Sequence, residues 1–279
     1  MEYFWKLEKY SGQNSRFRCP QCRKSRQYTR FINSEGAYAP YEYGKCNRQD
    51  KCGYFKHSKG IKSDAPIFIH KEEPQEFINW NDYNYNLDTN SDLIKYFIKY
   101  HNGVSEDVIN TLKKYYVRAE GDSIFFPYVD KRNRLTYVKK MQYRNGHRNG
   151  AIYTPYKAKT GRFKQCLFGL HLVAKNNPIG VVESEKTALM CAMFFPKTTW
   201  VATGGELMIS TVNVLDSATI FADKGKAFQN WKKKLDPKKF KMDNSLEFSG
   251  LKEGSDLADY IVAYCSNYGT EIPSVNIDE

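Results

Sequence analysis

No apolar run in the 279-residue chain approaches the roughly 18–20 residues that a membrane-spanning helix needs. The opening residues, MEYFWKLEKY, lack the long apolar stretch of a secretory signal. A soluble, cytoplasmic protein with no membrane partner is expected. Internal repeats and low-complexity tracts are missing as well, and 15% aromatic with 41% hydrophobic residues excludes general disorder. Acidic residues are scarce: 31 Asp and Glu stand against 43 Lys and Arg, leaving a net charge of +12 that attracts polyanions. Between residues 131 and 164 acids are absent altogether, while eleven Lys or Arg alternate with Tyr137, Tyr143, Tyr153 and Tyr156. Unbalanced charge of this density opposes folding through self-repulsion, which a bound polyanion relieves. Basic segments interleaved with aromatics suit single-stranded nucleic acid, the plain alternative being a solvated face.

What is present divides by composition. Cys166, Cys191 and Cys265 stand singly in apolar surroundings and read as ordinary buried thiols. Cys19, Cys22, Cys46 and Cys52 form Cys-x2-Cys, a 23-residue spacer and Cys-x5-Cys. A tight Cys-x2-Cys turn directs two thiolates at one ion, and a second pair carried on a hairpin completes the tetrahedron that structural Zn²⁺ accepts. A zinc ribbon is expected over residues 1–58, with His57 as a substitute ligand should the longer second knuckle fail. Arg16, Arg18, Arg23, Lys24, Arg26 and Arg30 crowd the first knuckle beside Phe17, Tyr28 and Phe31, a mixture suited to phosphates and stacked bases.

Residues 59–90 are polar, rich in Asn and Asp and without sustained periodicity, so they read as a linker. Residues 91–172 read as a basic α+β subdomain. SDLIKYFIKY places Leu93, Ile94, Phe97 and Ile98 on one helical face behind Ser91, and Ser105 opens a second helix. SIFFPYVD and RLTYVKKMQYR read as strands joined by the turn DKRN.

From residue 173 onward, strands alternate with helices. PIGVVES, TTWVATGG, SATIFAD and LEFSG read as strands; EKTALMCAMFF, LMISTVNVL, KAFQNWKKKL and SDLADYIVAYC read as helices. This pattern implies a mainly parallel sheet in an α/β domain over 173–279, with ligands beyond the carboxyl ends of the strands. That placement selects Glu183 and Asp223, which end two strands, and Asp256 and Asp259, one turn apart at the start of the last helix. Such carboxylates suit Mg²⁺ or Mn²⁺, which take hard oxygen ligands.

VVESEKTAL resembles the first motif of the TOPRIM domain shared by bacterial DnaG-type primases and topoisomerases, in which the strand-ending acid, here Glu183, is central. WVATGG resembles the strand and glycine turn that follow, and IFADKGKAFQNW occupies the place of the family's Asp-x-Asp. Upstream, SIFFPYVDKRNRLTYVKKMQYR followed by QCLFGLHLVAK is similar to the basic half of the primase catalytic core, and the zinc ribbon in front completes the DnaG order.

The resemblance implies a DNA primase-like protein that binds single-stranded DNA and joins nucleoside triphosphates into short primers, with a helicase or replication initiator as a further partner. Glu183 and Asp223 would hold the catalytic Mg²⁺ or Mn²⁺. Lys139, Lys140 and Arg144 would grip triphosphate or template, and Arg148 and Lys186 belong to the same nucleotide-binding set. The chain stops without the family's helicase-recruiting domain, which points to the mobile-element or phage type.

Three departures qualify the match. Asp-x-Asp is Asp223-Lys224-Gly225, Thr187 stands where the family often carries Asp, and the zinc knuckles replace Cys-x2-His and Cys-x2-Cys. Asp256 or Asp259 supplies the missing charge, or one metal suffices. A catalytically degenerate TOPRIM binder of single-stranded nucleic acid and a TOPRIM nuclease are the competing functions.

Overall fold

A computed structural model describes residues 5–61, 68–69, 74–101 and 103–268. The chain forms two compact units, residues 1–73 and 74–279. Of the segment expected as a linker, residues 62–67 and 70–73 lie outside the described residues, as do residues 269–279 of the last expected domain.

The first unit contains β1 (Lys6–Leu7), β2 (Tyr28–Ile32), β3 (Ala37–Tyr38), β4 (Gly44–Cys46), β5 (Phe55–Lys56) and β6 (Phe68–Ile69). They form an antiparallel sheet in the order β5-β4-β2-β3-β6, and β1 also pairs with β2. Because β2 is central, both of its faces are covered and Tyr28, Thr29, Arg30 and Phe31 are all buried. Tyr28 and Phe31 are therefore core residues and not free stacking platforms. The Arg30 guanidinium packs against the rings of Phe17, Tyr38 and Tyr41, which removes it from the expected phosphate-binding set. Arg18, Arg23, Lys24 and Arg26 remain exposed.

The second unit begins with β7 (Gln75–Glu76), α1 (Trp80–Tyr83), α2 (Asp92–Tyr100), α3 (Ser105–Lys114), β8 (Arg118–Glu120), β9 (Ser123–Val129), β10 (Leu135–Arg144), β11 (His147–Arg148) and β12 (Arg162–Phe163). It continues with β13 (Ile179–Val182), α4 (Glu185–Phe194), β14 (Thr199–Ala202), β15 (Ala218–Ile220), α5 (Lys226–Lys234), β16 (Phe240–Met242), α6 (Ser245–Phe248) and α7 (Leu257–Tyr268). Strands β8 to β11 make an antiparallel sheet in the order β11-β10-β9-β8. Residues 74–90 belong to this unit: Ile78 and Tyr83 are buried with Phe125, Val129, Leu135 and Val138, and β7 pairs with β12. Their elements are too short to carry a periodic signal, and the contacts that hold them come from residues more than thirty positions away.

The α/β region is a four-stranded, fully parallel sheet in the order β14-β13-β15-β16. Helix α4, apolar on every side, is buried along most of its length, as a helix without a polar face must be. LEFSG, expected as a strand, is helical: Asp243 accepts the Ser245 amide at 3.0 Å and starts α6. The additional strand is β16, whose Phe240 fills the core beside Trp231 and Ile220. No break falls at residues 172/173. One core joins Phe126, Tyr128 and Phe168 to Val182, Leu189 and Trp200, and the Tyr115 hydroxyl donates to the Trp200 carbonyl at 2.7 Å.

Candidate zinc centre and acidic site

In the first unit the two knuckles converge. The Cys19 carbonyl accepts the Arg23 amide at 3.0 Å, closing the first turn. The Arg48 carbonyl accepts the Lys51, Cys52 and Gly53 amides, and this turn carries Cys52 back across the five intervening residues. Tyr28 and Cys46 are register partners on β2 and β4. The four sulfurs all lie within 4.8 Å of one another, with Cys19–Cys52 at 3.8 Å and Cys22–Cys46 at 4.0 Å. Four sulfurs bound to one zinc at about 2.3 Å sit about 3.8 Å apart, so the donor set fits tetrahedral Zn²⁺. The Lys24 amide holds the Cys22 thiol low, at about 6, favouring the thiolate that zinc needs. His57 is not in the cluster; its Nδ1 accepts the Lys59 amide and its ring lies against Phe31 and Phe55.

In the second unit the chain runs from β13 to β14 on one side and returns to β15 on the other. The crevice where a parallel sheet takes its ligand therefore opens between the carboxyl ends of β13 and β15. Glu183 directly follows β13, and Asp223 lies three residues beyond β15. The Glu206 amide bonds the Glu183 carboxylate, yet burial, together with the negative charges of Glu206, Asp256 and Glu185, raises its pKa. Burial comes first for Asp223 too; with Glu183, Asp256, Asp259 and Glu206 around it, its pKa rises to about 8.

Glu206 is the member of this group that the sequence reading missed. It follows β14 across the turn Gly204-Gly205, so the strand-end rule that selected Glu183 selects it once the turn is recognised. Gly204 is required there: its φ is +75, and a Cβ would collide with Tyr128, Gln165 and Lys139. The Glu206 carboxylate also accepts from the Asn230 side chain at 2.6 Å.

Asp256 and Asp259 cap α7 reciprocally. Each carboxylate accepts the other's amide, at 2.9 and 3.1 Å, and the second Asp256 oxygen accepts the Thr187 hydroxyl at 2.5 Å. Thr187 thus ties α4 to the acidic end of α7. Gly225 has φ +88 and ψ −115, and a Cβ there would approach the Glu253 side chain to 2.7 Å.

The expected basic grip divides. Successive strand residues face opposite ways, so Lys139 and Lys140 part company on β10. Lys139 is buried and pairs with Glu185 at 3.0 Å, while its ammonium also bonds the Gly204 carbonyl and the Tyr128 hydroxyl bonds Glu185. Its charge is consumed inside the protein, which corrects its assignment as a phosphate grip. Lys140 lies over the Phe125 ring on the other face, which Arg144 shares and leaves to solvent. Arg148 is exposed on β11. Lys186 packs over Tyr96, a ring within the electrostatic reach of Asp259 and Asp256.

Among the described residues neither Glu183 nor Asp223 forms an ion pair. Hard carboxyl oxygens without a cationic partner are donors of the kind Mg²⁺ and Mn²⁺ take. No helix among the described residues is long and apolar enough to cross a membrane.

Residues 3–67 match a zinc β-ribbon finger family, and residues 91–223 match a domain of unknown function, DUF6371. No curated protein matches the chain significantly. Among solved structures, the primase fragment of the bacteriophage T7 primase-helicase is similar at TM-score 0.44 and 16% identity, over 89% of this chain and 97% of that one. The zinc-binding and RNA polymerase domains of Aquifex aeolicus primase are similar at TM-score 0.41 and 12% identity, over 95% and 78%. A DNA primase domain from Pseudomonas aeruginosa is similar at TM-score 0.35 and 19% identity, over 52% and 48%.

Proposed function

We propose that this chain is a primase-like protein that holds single-stranded DNA and joins nucleotides at the acidic crevice. The observation that carries the reading is the placement of Glu183 and Asp223 at the two lips of the sheet's switch point, with Glu206 and Asp256 close enough to raise the Asp223 pKa. Glu183 and Asp223 would hold Mg²⁺ or Mn²⁺, which when bound supplies the positive charge that activates a 3′-hydroxyl and stabilises the α-phosphate. The Glu206 amide orients Glu183. Lys139 pairs with Glu185 at the start of α4 and offsets part of the negative charge beside Glu183. Asp256, with both oxygens already engaged, adds its charge to the crevice from the start of α7. Arg144, Arg148 and Lys140 offer charge to the template backbone.

Incubation with single-stranded DNA, labelled nucleoside triphosphates and Mg²⁺ should yield short oligomers, and Glu183→Gln should abolish them while DNA binding survives. Gly225 favours one competing reading, a non-catalytic binder, because its backbone leaves no place for the second acid. That reading wins if the wild type makes no oligomer in Mg²⁺ or Mn²⁺; cleavage of the labelled template instead would assign a nuclease.

A further inference from the structure

The opposite edge of the parallel sheet carries a second charged feature. A cavity of about 620 Å³ opens at the amino ends of β13, β15 and β16, lined by Lys131, Lys175, Lys238, Lys239 and Lys241 against one acid, Asp216. Glu183 lies four residues along β13 from Ile179, about 13 Å away at 3.3 Å per residue, so this cavity is separate from the acidic crevice. All five lysines are exposed, and among the described residues none forms an ion pair. No aromatic side chain lines the cavity, which suits phosphates and not bases.

The stacking surface lies on the other side of one turn. Asn133 donates its amide to the Asp130 carbonyl at 2.9 Å, and the turn so formed sends Lys131 to the lysine cavity and Asn133 to a cleft of about 440 Å³. The cleft is lined by Trp80, Tyr85, Tyr116, Lys113 and Asn133. The Trp80 indole donates to the Asn133 carbonyl at 3.0 Å and fixes the turn against the cleft. Tyr116 closes α3 at φ +55, a left-handed position that glycine normally holds, and its ring stacks on His171 at 5.1 Å. The Trp80 indole meets the Tyr116 ring edge-on at 5.0 Å, so the two rings hold one another at the wall of the cleft. Tyr85 is 45% exposed at the rim.

We infer that the face around the turn Asp130–Asn133 is a second binding surface for single-stranded nucleic acid, with the lysine cavity taking backbone phosphates and the aromatic cleft taking one unpaired base. Phosphate contacts give affinity that falls with salt; stacking on aromatics is tolerant of sequence. The inference does not depend on catalysis at Glu183.

The test uses the full chain, without nucleotides or divalent metal, and fluorescence anisotropy with a labelled oligo-dT, an abasic oligonucleotide of equal length, and inorganic tripolyphosphate as competitor. The triple variant Lys175→Ala, Lys239→Ala, Lys241→Ala should lose at least tenfold in affinity for both oligonucleotides at low salt. Its salt slope should fall by about 2, at about 0.7 per lost phosphate contact on a single strand. Tyr85→Ala should leave the slope unchanged and reduce the preference for oligo-dT over the abasic strand about tenfold. An unchanged slope in the triple variant overturns the inference. So does tripolyphosphate binding that the triple variant loses while oligonucleotide binding is untouched, since the cavity then serves free polyphosphate. Because Glu183→Gln is assayed by synthesis, failure here leaves the acidic crevice standing.

Discussion

The zinc ribbon and the acidic crevice both gather negative groups, but they are held together by different means. The thiols sit on two short knuckles, each closed by a local turn at the Cys19 and Arg48 carbonyls, and register pairing of Tyr28 with Cys46 sets the second knuckle beside the sheet. Their sulfurs reach ligand separation. The carboxylates come from the ends of β13, β14 and β15 and from the cap of α7, on a scaffold made by Val181, Val201 and Ile220 in one layer and Val182, Leu189 and Trp200 in another. Among the described residues the cysteines are the one group of three or more potential ligands drawn within 4.8 Å. Around the cysteines the fully buried cluster is Cys19, Tyr28 and Cys46 alone. The thiols have little core around them besides Tyr28, whereas the carboxylates stand on two layers of apolar side chains.

The largest effect should come from breaking the first half of that contrast. Structural zinc supplies about 10–16 kcal/mol to small Cys-ligated modules. Chelation, or Cys46→Ser, should abolish amide-exchange protection across residues 28–56 and leave that of residues 123–220 in place. Metal analysis should give one Zn²⁺ per chain. Persistent protection in the zinc-free ribbon would mean that the two sites are not held differently.

The buried pair comes next. Lys139→Met leaves Glu185 uncompensated at 3% exposure, and removing one partner of a buried pair costs about 3–5 kcal/mol. Denaturant unfolding of the second unit reads the loss. A change below about 1 kcal/mol would put Lys139 back among candidate phosphate grips.

How far each site was legible follows from the same difference. The zinc ligands could be assigned from Cys-x2-Cys and Cys-x5-Cys because local spacing decides them. Glu183 and Asp223 followed from strand alternation alone, since a parallel sheet fixes where its ligand edge lies. Glu206 did not, because two glycines intervene between the strand end and the acid. Lys139 was misjudged because composition shows charge but not face, and only the pairing of β10 with β9 reveals which way each lysine points. The packing of Ile78 and Tyr83 was invisible for a related reason: their partners are distant in sequence.

A third effect concerns pH. The ordinary carboxylate value for Asp223 is 3.8, and in the folded protein it is pushed up to about 8. Between those values the native state holds a proton that the unfolded chain releases, so stability falls as pH rises through this window and levels off above about 8. The loss should be about 3–4 kcal/mol between pH 5 and 8 without divalent metal, and Asp223→Asn should flatten it. Mg²⁺ or Mn²⁺ should restore wild-type stability at pH 8 with release of a proton. A flat wild-type profile would show that the crevice carries no excess charge for an ion to neutralise.

The smallest effect on stability carries the finest distinction. Asp256 and Asp259 cap α7 through their oxygens, and Asn caps about as well as Asp, so Asp259→Asn should change stability by less than about 0.5 kcal/mol, whereas Asp259→Ala should cost about 1 kcal/mol. Both substitutions remove one negative charge that faces Asp223, so both should move its titration to lower pH. If Asp259 stands in for the acid missing at Gly225, Asp259→Asn should also abolish oligomer synthesis as completely as Glu183→Gln. If synthesis survives while the titration shifts, Asp259 acts on the crevice through charge and capping, and the ion is held by Glu183 and Asp223 without it. Asp256→Asn separates the same two roles more sharply, because its second oxygen is committed to Thr187. Thr187→Val should then copy any loss seen in Asp256→Asn that arises from position and not from charge.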